Sequence, residues 1–566
     1  MAYMTRELGQ QPGVQVNSIL DETTLSQELV ADRVIGFVGK FLRGPIHRPF
    51  VVNKGNLVRR LGTPEQIRVD ERNQTYVHVA EALRIGIQAA VVQRYATSNA
   101  TIGWGVIRRS EDLMTTNFAS SVRVLALGQN PIGLGDMLIV MDDEQTDFLL
   151  AVKHLECHSD GIKLSYHAEE KRVGGVLVDS DMITLRIHDA DGNVIWRFVG
   201  SLNPESLDFS GKSNYLPDVV SSATDLVEVV IGATGDDAVV KVGSDAYGFD
   251  DYGKQQWPVS DKLFTFVDGT DYQVADLLRV QQNMINTDLS YGHLVAPSCM
   301  DEREIAMMIE MSWQTGNPLS IDVPGAMSGD DAIAWIEQFD ISNTNEPLAV
   351  RSFWAPIKRS CPSNVNPIGF YGFAAIGAAM ACVRNSFLNG LGLPQKNHPV
   401  AGRDYAINVT GAKQVSFPDG AMLSRLAAAR INPVLFQRFS DGQKLVFTDS
   451  LTSVGTESLS KLAAASDMAI HNNRAIAEKA ADLAQRPLDG ADGAIAAMSE
   501  YLTNLFAAEQ SSGWLIPSSE PEMEGAAYKF SVTVNADRPY DAYDVNYYVR
   551  YCGTARAAYV SQTITK

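Results

Sequence analysis

The chain has 566 residues, of which 45% are hydrophobic and 20% are charged, so it can bury several cores and is not a disordered tail. Lysine and arginine number 47 against 67 aspartates and glutamates, which gives a net charge of -20. No long basic tract interrupts this balance. Nucleic acid and an anionic membrane surface are therefore disfavoured as partners, because both attract clustered cations.

The cysteines are odd in number, scattered, and without C-x-x-C spacing; they are Cys157, Cys299, Cys361, Cys382 and Cys552. This usage is typical of a reducing compartment and not of a disulfide framework. The first ten residues lack the apolar segment of a signal peptide. We therefore predict a soluble protein of the cytoplasm.

Residues 1–30 are polar, with Pro12-Gly13 followed by the short alternating stretch Val14-Gln15-Val16. A segment of this kind cannot bury itself, and it predicts an extended N-terminal arm. From Arg33 onward the pattern changes: apolar runs predict strands over 34–39, 50–52 and 89–95, with a helix over 77–86 between the last two.

Residues 97–284 predict a β-rich insertion, in which short strands alternate with Gly, Asp and Asn turns. The predicted strands lie at 122–127, 137–140, 148–154, 161–166, 182–188 and 194–199. The last two flank Asp189-Ala190-Asp191-Gly192-Asn193, whose Asp-Gly step favours a hairpin turn.

After Asp288 the helical period returns, with strands predicted over 293–296, 319–323 and 348–354 and helices over 302–313 and 331–339. This βαβαβ order implies a parallel sheet with right-handed crossovers. The strand–helix–strand of residues 33–95 is predicted to complete the same sheet. The fold class is therefore α/β plus β-rich, with an α/β core domain of residues 31–96 and 285–418 split by the insertion.

Residues 419–556 predict a C-terminal α+β domain, followed by a terminal strand arm over 557–566. Its predicted helices are 420–430, an Ala-rich amphipathic helix over 457–485, and 494–510. Its predicted strands are 444–448, 529–534 and 545–551.

Three motifs suggest ligands, and each has a simpler interpretation. Gly211-Lys212-Ser213 resembles part of a phosphate loop, but Ser206 stands where that motif needs its first glycine, so a solvated turn is favoured. His154, His158 and nearby His167 are zinc-type donors, for which polar residues on the wet face of a strand are the favoured alternative. The 189–193 turn lacks the spacing of a calcium loop.

No G-x-S-x-G, H-E-x-x-H or G-x-G-x-x-G motif occurs, and the first turn of the βαβ run, Ala296 to Met300, lacks the glycines of a nucleotide cradle. Asp322, at the end of its strand, is the best catalytic carboxylate by position. Since it has no partner nearby in sequence, a capping role is favoured. We predict no catalytic residue, no metal and no cofactor.

The order of several short motifs resembles the contractile tail sheath proteins of myophage-type bacteriophages. The motifs are Pro12-Gly13-Val14-Gln15-Val16, the G-x-x-G strand 34–39, Gly44-Pro45, Leu61-Gly62-Thr63-Pro64, Val92-Gln93-Arg94-Tyr95, Asp322-Val323-Pro324, the Gly-rich segment 369–402 and Ile431-Asn432-Pro433-Val434. The resemblance covers both ends and the middle of the chain but not the insertion. The segment Thr448 to Thr452 departs from the family pattern.

The resemblance implies a non-enzymatic structural subunit that polymerises as stacked hexameric rings around an inner tail tube and contracts to drive the tube through the host envelope. Implied partners are further copies of the chain, the inner tube protein, and the baseplate and tail terminator proteins. Implied locations are the virion tail, and the host cytoplasm during assembly. The insertion is expected to face outward and the C-terminal domain to lie near the tube.

Two sets of residues are predicted to make the contacts between proteins. Strands donated to neighbouring subunits are predicted at Val14, Gln15, Val16, Tyr559, Val560, Ser561, Gln562, Thr563 and Ile564. A cationic contact with an acidic tube is predicted at Lys461, Arg474, Lys479 and Arg486; the alternative is that these are ordinary helix charges, paired with Asp467, Glu478 and Asp482.

Two other functions remain open at this stage. One is an α/β enzyme with a β-rich lid, which would need convergent titratable groups at the carboxyl ends of the strands. The other is a different phage structural subunit, such as a baseplate protein.

Overall fold

The computed structural model describes two short N-terminal strands, most of the α/β core, parts of the insertion and nearly all of the C-terminal region. The described residues are 4–5, 14–15, 29–41, 44–45, 48–62, 74–95, 101–102, 104–108, 116–117, 122–123, 148–154, 163–168, 171–178, 180–188, 191–224, 227–232, 264–265, 277–298, 300–361, 368–559 and 561–562. Among them, no helix is both long enough and apolar enough to cross a membrane.

The part before the insertion supplies five strands and two helices. They are β1 Met4–Thr5, β2 Val14–Gln15, β3 Val34–Gly39, β4 Phe50–Val52, α1 Leu57–Leu61, α2 Gln74–Ile85 and β5 Ala89–Arg94. Strands β3 and β5 are buried along their whole length, as expected of central strands with a helix layer on each face.

The described residues of the insertion form mostly short strands and one helix. They are β6 Thr101–Ile102, β7 Trp104–Arg108, β8 Thr116–Asn117, β9 Val122–Arg123, β10 Phe148–His154, β11 Lys163–Ala168, β12 Arg172–Val173, β13 Val176–Leu177, β14 Met182–His188, β15 Val194–Ser201, α3 Leu216–Ala223, β16 Val227–Ile231 and β17 Phe264–Thr265. Two four-stranded sheets, β16-β10-β7-β8 and β15-β14-β11-β17, share one apolar core. The predicted strand 137–140 lies outside the described residues.

After the insertion the chain alternates between strands and helices. The elements are α4 Leu277–Ile285, β18 His293–Ala296, α5 Glu302–Thr315, β19 Leu319–Val323, α6 Gly329–Glu337, β20 Val350–Trp354, β21 Ile357–Lys358, α7 Ala374–Ser386, β22 Lys413–Gln414, α8 Gly420–Ala428, β23 Ile431–Phe439 and β24 Gly442–Phe447.

The largest sheet has eight strands in the order β24-β23-β20-β19-β18-β3-β5-β4. Its six inner strands are parallel, and the edge strands β24 and β4 run antiparallel to their neighbours. Strand β3, before the insertion, pairs with β18, after it. One sheet is therefore built from both sides of the insertion, and the mixed α/β class predicted from the sequence is confirmed.

Two elements pack across the domain boundaries that were predicted from the sequence. Helix α4 was partly assigned to the insertion, whereas its Val280 and Met284 lie in the same core as Val34 and Leu294 of the large sheet. Strand β24 was assigned to the C-terminal domain, whereas β23 pairs with β20 and carries β24 along as the sheet edge. In both cases tertiary packing, which local pattern does not report, decides the assignment.

The C-terminal region consists of α9 Ala463–Asp482, α10 Ala494–Ser511, β25 Tyr528–Val534 and β26 Tyr543–Val549. The helix predicted over 457–485 therefore begins later than expected. Its first residues pair with the preceding segment instead: Thr452 N donates to Lys461 O at 2.8 Å, and Ala463 N donates to Ser450 O at 3.1 Å. These hydrogen bonds hold Leu462 extended, between a 3-10 turn that ends at Lys461 and the first residue of α9.

A buried carboxylate attaches α9 to the large sheet. Asp467 of α9 binds Arg351 of β20, and its Oδ2 accepts from Arg384 Nη2 of α7 at 2.8 Å. Burial alone would raise the pKa of Asp467, but Arg351 and Arg384 hold that pKa well below its usual range. The sequence analysis treated Asp467 as a partner for surface cations of its own helix, and that interpretation is wrong.

A second buried ion pair joins the chain before the insertion to the chain after it. The carboxylate of Glu81, in α2, accepts hydrogen bonds from both terminal nitrogens of Arg359, at 2.7 Å each. Both side chains are at most 1% exposed. Arg359 also donates from Nε to the carbonyl oxygen of Tyr371 and from Nη2 to that of Gly372, so each of its three nitrogens has an acceptor.

Replacing Glu81 by Gln tests this pair. The variant leaves the Arg359 charge buried without its anion, so we expect the free energy of unfolding to fall by about 3–5 kcal/mol. Urea unfolding followed by tryptophan fluorescence measures the change. The matched control is Arg538→Gln, which removes an exposed pair with Asp541 and is expected to have no measurable effect. Equal unfolding midpoints for the two variants would contradict the prediction.

Candidate assembly site

The C-terminal hairpin, β25 and β26, packs on α10 through one face. Tyr528, Phe530 and Tyr547 lie around Phe506 of α10, with ring centroids 5.3, 6.0 and 5.5 Å from it. The other face carries exposed side chains, among them Tyr548, which is 63% exposed. A two-stranded ribbon is marginally stable alone, so this aromatic packing is what keeps the hairpin in place.

The register of the hairpin shows which main-chain groups face outward. Asn535 N donates to Ala542 O, and Arg550 N donates to Ala527 O, so the pairs that exchange hydrogen bonds alternate from these positions. The residues between them point their N–H and C=O groups away from the partner strand. They are Tyr528, Phe530, Val532 and Val534 on β25, and Tyr543, Val545, Tyr547 and Val549 on β26.

Within the part of the chain that the structure describes, no third strand pairs with this hairpin. Both of its edges therefore present a row of main-chain donors and acceptors that another strand can use. A groove of about 1080 Å³ runs beside it. Its lining combines apolar, cationic and acidic side chains, among them Leu459, Phe530, Tyr548, Lys529, Arg550 and Glu520.

The chain leaves β26 along the surface of the C-terminal region. Tyr551 forms a bridge to Leu515, and the guanidinium of Arg556 binds both carboxylate oxygens of Asp449. Beyond Arg556, Tyr559 is 96% exposed, and no described residue of the last part of the chain belongs to a strand. Of the predicted strand-arm residues, Ser561 and Gln562 are exposed, whereas Val560, Thr563 and Ile564 lie outside the described residues.

At the N-terminal end, Val14 and Gln15 form β2, which pairs in parallel with Met4 and Thr5 of β1. Val16 lies outside the described residues. The structure thus gives Val14 and Gln15 a strand partner within the chain, and their pairing with another subunit stays a prediction.

The four cations predicted to contact a tube are in different situations. Arg474 is held inside the chain, where its guanidinium donates to Asp32 Oδ1 at 3.2 Å and to Asn317 Oδ1 at 2.6 Å. Lys461 precedes α9 and binds Glu457. Lys479 lies over the Tyr501 ring at 5.7 Å, and Arg486 is exposed. The tube contact stays a prediction, and Arg486 is the member of the set whose side chain is exposed.

Two of the three ligand-like motifs lie in turns. Gly211 has a φ of +81° in an exposed turn whose Asp208 side chain accepts from the backbone N–H of Lys212. Gly192 has a φ of +89° in the turn between β14 and β15. Among the described residues there is no group of three or more metal-type donors, and His158 lies outside them.

Asp322 caps a helix, as the sequence analysis favoured. Its Oδ1 accepts the backbone N–H groups of Phe373 and Ala374, at 2.7 Å each, at the start of α7. Gly372 is required here, since a Cβ at this position would collide with the carboxylate. Burial raises the pKa of Asp322 to about 7, against the lowering effect of these hydrogen bonds. The carboxylate that was the best catalytic candidate by position is therefore hydrogen-bonded to the start of α7.

A buried carboxyl group under the hairpin was missed from the sequence. Glu509 of α10 is fully buried, and its Oε2 accepts from Asn472 Nδ2 at 3.1 Å. The same amide donates to Tyr551 Oη at 3.0 Å. Burial raises the pKa of Glu509 to about 7. A possible signal was its spacing of three from Phe506, which places it on the apolar face of α10.

The comparisons with known proteins find distant similarities in structure only. No protein-family profile and no curated protein matches the chain. Its structure is similar to that of a sheath tail protein from Listeria innocua, with 12% identity, a TM-score of 0.48, and coverage of 91% of this chain and 94% of that one.

Parts of the chain are also similar to the baseplate of the anti-feeding prophage. The similarity to the 6-fold symmetrised structure has 13% identity, a TM-score of 0.38, and coverage of 53% of this chain and 76% of that one. The similarity to the contracted-state structure has 11% identity, a TM-score of 0.37, and coverage of 51% of this chain and 74% of that one.

Replacing Glu509 by Gln tests the effect of burying a carboxyl group under the hairpin. Between its ordinary pKa of 4.5 and its folded pKa of about 7, the unfolded chain has lost a proton that the folded chain keeps. This contribution to the free energy of unfolding therefore falls as the pH rises through that window, and stays low above it. In the unsubstituted protein this decrease in the free energy of unfolding amounts to roughly 3 kcal/mol at most. The Gln variant has no carboxyl group at this position, so the decrease is absent from it.

We expect the thermal midpoint of Glu509→Gln, relative to that of the unsubstituted protein, to be higher at pH 8 than at pH 5. Calorimetry at several pH values measures the difference. Glu500→Gln, an exposed change on the same helix, serves as the control. A difference between Glu509→Gln and the unsubstituted protein that does not vary with pH would refute the prediction.

Proposed function

We propose that the chain is the structural subunit of a contractile tail sheath, which polymerises with copies of itself around an inner tube and contracts to drive the tube through a host envelope. The observation that carries the proposal is the C-terminal hairpin, whose two main-chain edges have no partner strand among the described residues. The order of the sequence motifs supports the same assignment.

Strand donation is the contact that this hairpin favours. An extended segment placed along either edge satisfies up to four outward-facing residues of β25 or β26 and hides the edge from indiscriminate pairing. Each net hydrogen bond contributes about 0.5–1.5 kcal/mol, so a ladder of several is worth a useful fraction of an interface. On this proposal, the segments that neighbouring copies donate as strands are the N-terminal arm at residues 14–16 and the C-terminal arm at residues 557–566.

Contacts of short range suit the charge of the chain. At a net charge of -20, copies repel one another at a distance, and directional main-chain hydrogen bonds act only once the strands meet. The partners on this proposal are the chain itself in stacked hexameric rings, the inner tube protein, and the baseplate and terminator proteins at the two ends. The site of action is the virion tail.

Removing either arm tests the function. Deletion of residues 557–566, or of residues 1–20, is expected to leave a folded monomer that no longer forms tubes, because each deletion removes one donated strand. Negative-stain electron microscopy detects tubes, and circular dichroism checks the fold. Normal tubes from both deletions would remove the basis of the proposal.

Proline substitutions on the hairpin test its edges separately. In Val545→Pro and Val532→Pro, the lost N–H faces outward on β26 and on β25, so the hairpin keeps its own ladder while one edge loses a donor. We expect each variant to fold and to form tubes at least tenfold less efficiently, measured by sedimentation of polymer.

The matched control is Thr533→Ala, which keeps every main-chain group of the hairpin and should sediment as the unsubstituted protein does. If both proline variants polymerise normally, the strand acceptor lies elsewhere and the hairpin has another role.

A further inference from the structure

The root of the N-terminal arm, defined here as residues 29–33, is fastened to several parts of the structure. Val30 N donates to Gln88 Oε1 at 3.1 Å, and Gln88 N donates to Arg33 O at 3.0 Å, next to β5. Gly292, just before β18, lies so close to the Ala31 carbonyl that no Cβ would fit there. The root is therefore packed before the chain enters β3.

Asp32 is the centre of this attachment. Its Oδ2 lies 2.8 Å from Lys396 Nζ and 3.8 Å from His471 Nδ1, and its Oδ1 lies 3.2 Å from Arg474 Nη1. Its carbonyl accepts from Asn385 Nδ2 at 3.4 Å. One side chain thus meets three basic groups, of which Lys396 is only 4% exposed.

These partners come from two different parts of the fold. Asn385 and Lys396 lie at and after the end of α7, which packs on the large sheet. His471 and Arg474 belong to α9 of the C-terminal region. Arg474 continues the link, because its other terminal nitrogen donates to Asn317 Oδ1 ahead of β19. The arm root consequently joins the sheet to α9.

Charge is essential to this joint. Burial alone would raise the pKa of Asp32, but Lys396, His471 and Arg474 hold that pKa far below its usual range. A neutral residue at position 32 would leave Lys396 buried without an anion, which costs several kcal/mol in comparable cases. The geometry therefore depends on an ionised Asp32.

We propose that Asp32 is the fixed end of the N-terminal arm: it clamps the arm root to the sheet and to α9 together, so that a pull on the arm acts on both as one body. The mechanical meaning rests on the proposed function, since it requires that the arm is held by another subunit. The clamp itself exists or fails in a single chain.

Trypsin reports on the clamp directly. Between Arg6 and Arg33 the sequence contains no lysine or arginine, so cleavage after Arg33 requires the root to open. In the full-length chain, kept below the concentration at which it assembles, we expect rapid cleavage after Arg6 and slow cleavage after Arg33. In Asp32→Asn, cleavage after Arg33 should be at least tenfold faster, with products identified by mass spectrometry.

Two further variants keep the test decisive. Arg474→Gln removes only the α9 side of the clamp and should give an intermediate acceleration. Asp441→Asn, a surface carboxylate paired with Arg403 and Lys444, should cleave after Arg33 as the unsubstituted chain does. A uniform acceleration at all sites in Asp32→Asn, or none at Arg33, overturns the proposal.

The two proposals fail in different experiments. If tubes form without the arms, the strand donation on which the proposed function rests fails whatever the trypsin result. If Arg33 is cleaved equally in all variants while the arm deletions still abolish tubes, only the clamp fails.

Discussion

The carboxylate of Asp467 is the contact on which the relation between the two largest parts of the chain depends. Two arginines, one from a central strand and one from a sheet-covering helix, approach it from the sheet side, and α9 brings it from the other. Burying three charges is costly unless each is hydrogen-bonded, so the arrangement is stable in one geometry and poor in neighbouring ones. Further along α9, His471 and Arg474 meet Asp32, so the first half of this helix is fixed by charge as well as by apolar contact.

The edge of the large sheet at β24 and the edges of the C-terminal hairpin differ in whether other main-chain groups of the chain cover them. The outer edge of strand β24, at one end of the large sheet, is covered by an earlier segment of the chain: Gly402 N donates to Phe447 O at 2.9 Å, and Ile407 N donates to Leu445 O at 2.8 Å. The edges of β25 and β26 receive no such bonds from the described residues. Since exposed edges invite indiscriminate pairing, this contrast is consistent with the hairpin as the proposed place for a partner strand.

Much of the fold was predictable because the decisive signal was local. Strands β3, β18 and β19 were predicted with their observed bounds, since a short apolar run before a turn has few alternatives. The predicted start of α9 was wrong because residues 461–463 form hydrogen bonds with main-chain groups about ten residues earlier in the chain. The Ala-rich pattern cannot show that pairing. The roles of Asp32, Asp467 and Glu509 were also out of reach, because their partners are distant in sequence.

The candidate site divides in the same way. From the sequence, the polar N-terminal segment and the C-terminal residues 557–566 were predicted as arms, and their pairing with other subunits stays a prediction. The acceptor needs the register of the hairpin, which depends on which residues exchange hydrogen bonds across it.

Tethers and rigid bodies have different physical requirements, and the chain meets them with different interactions. A body that must move as a unit needs contacts that tolerate no displacement, and the buried pairs Asp467–Arg384 and Glu81–Arg359 have that property. A contact that must survive movement needs directional bonds joined to the body by an extensible connector, so that rotation is absorbed by the connector and not by the ladder. On the proposed function, residues 17–28 would be this connector, because they separate the predicted donated strand from the packed root at 29–33 and a chain can extend by up to about 3.3–3.6 Å per residue. On the proposed function, the hydrogen-bonded ladder would fix which subunits stay joined, and the charged joints would fix which parts move together.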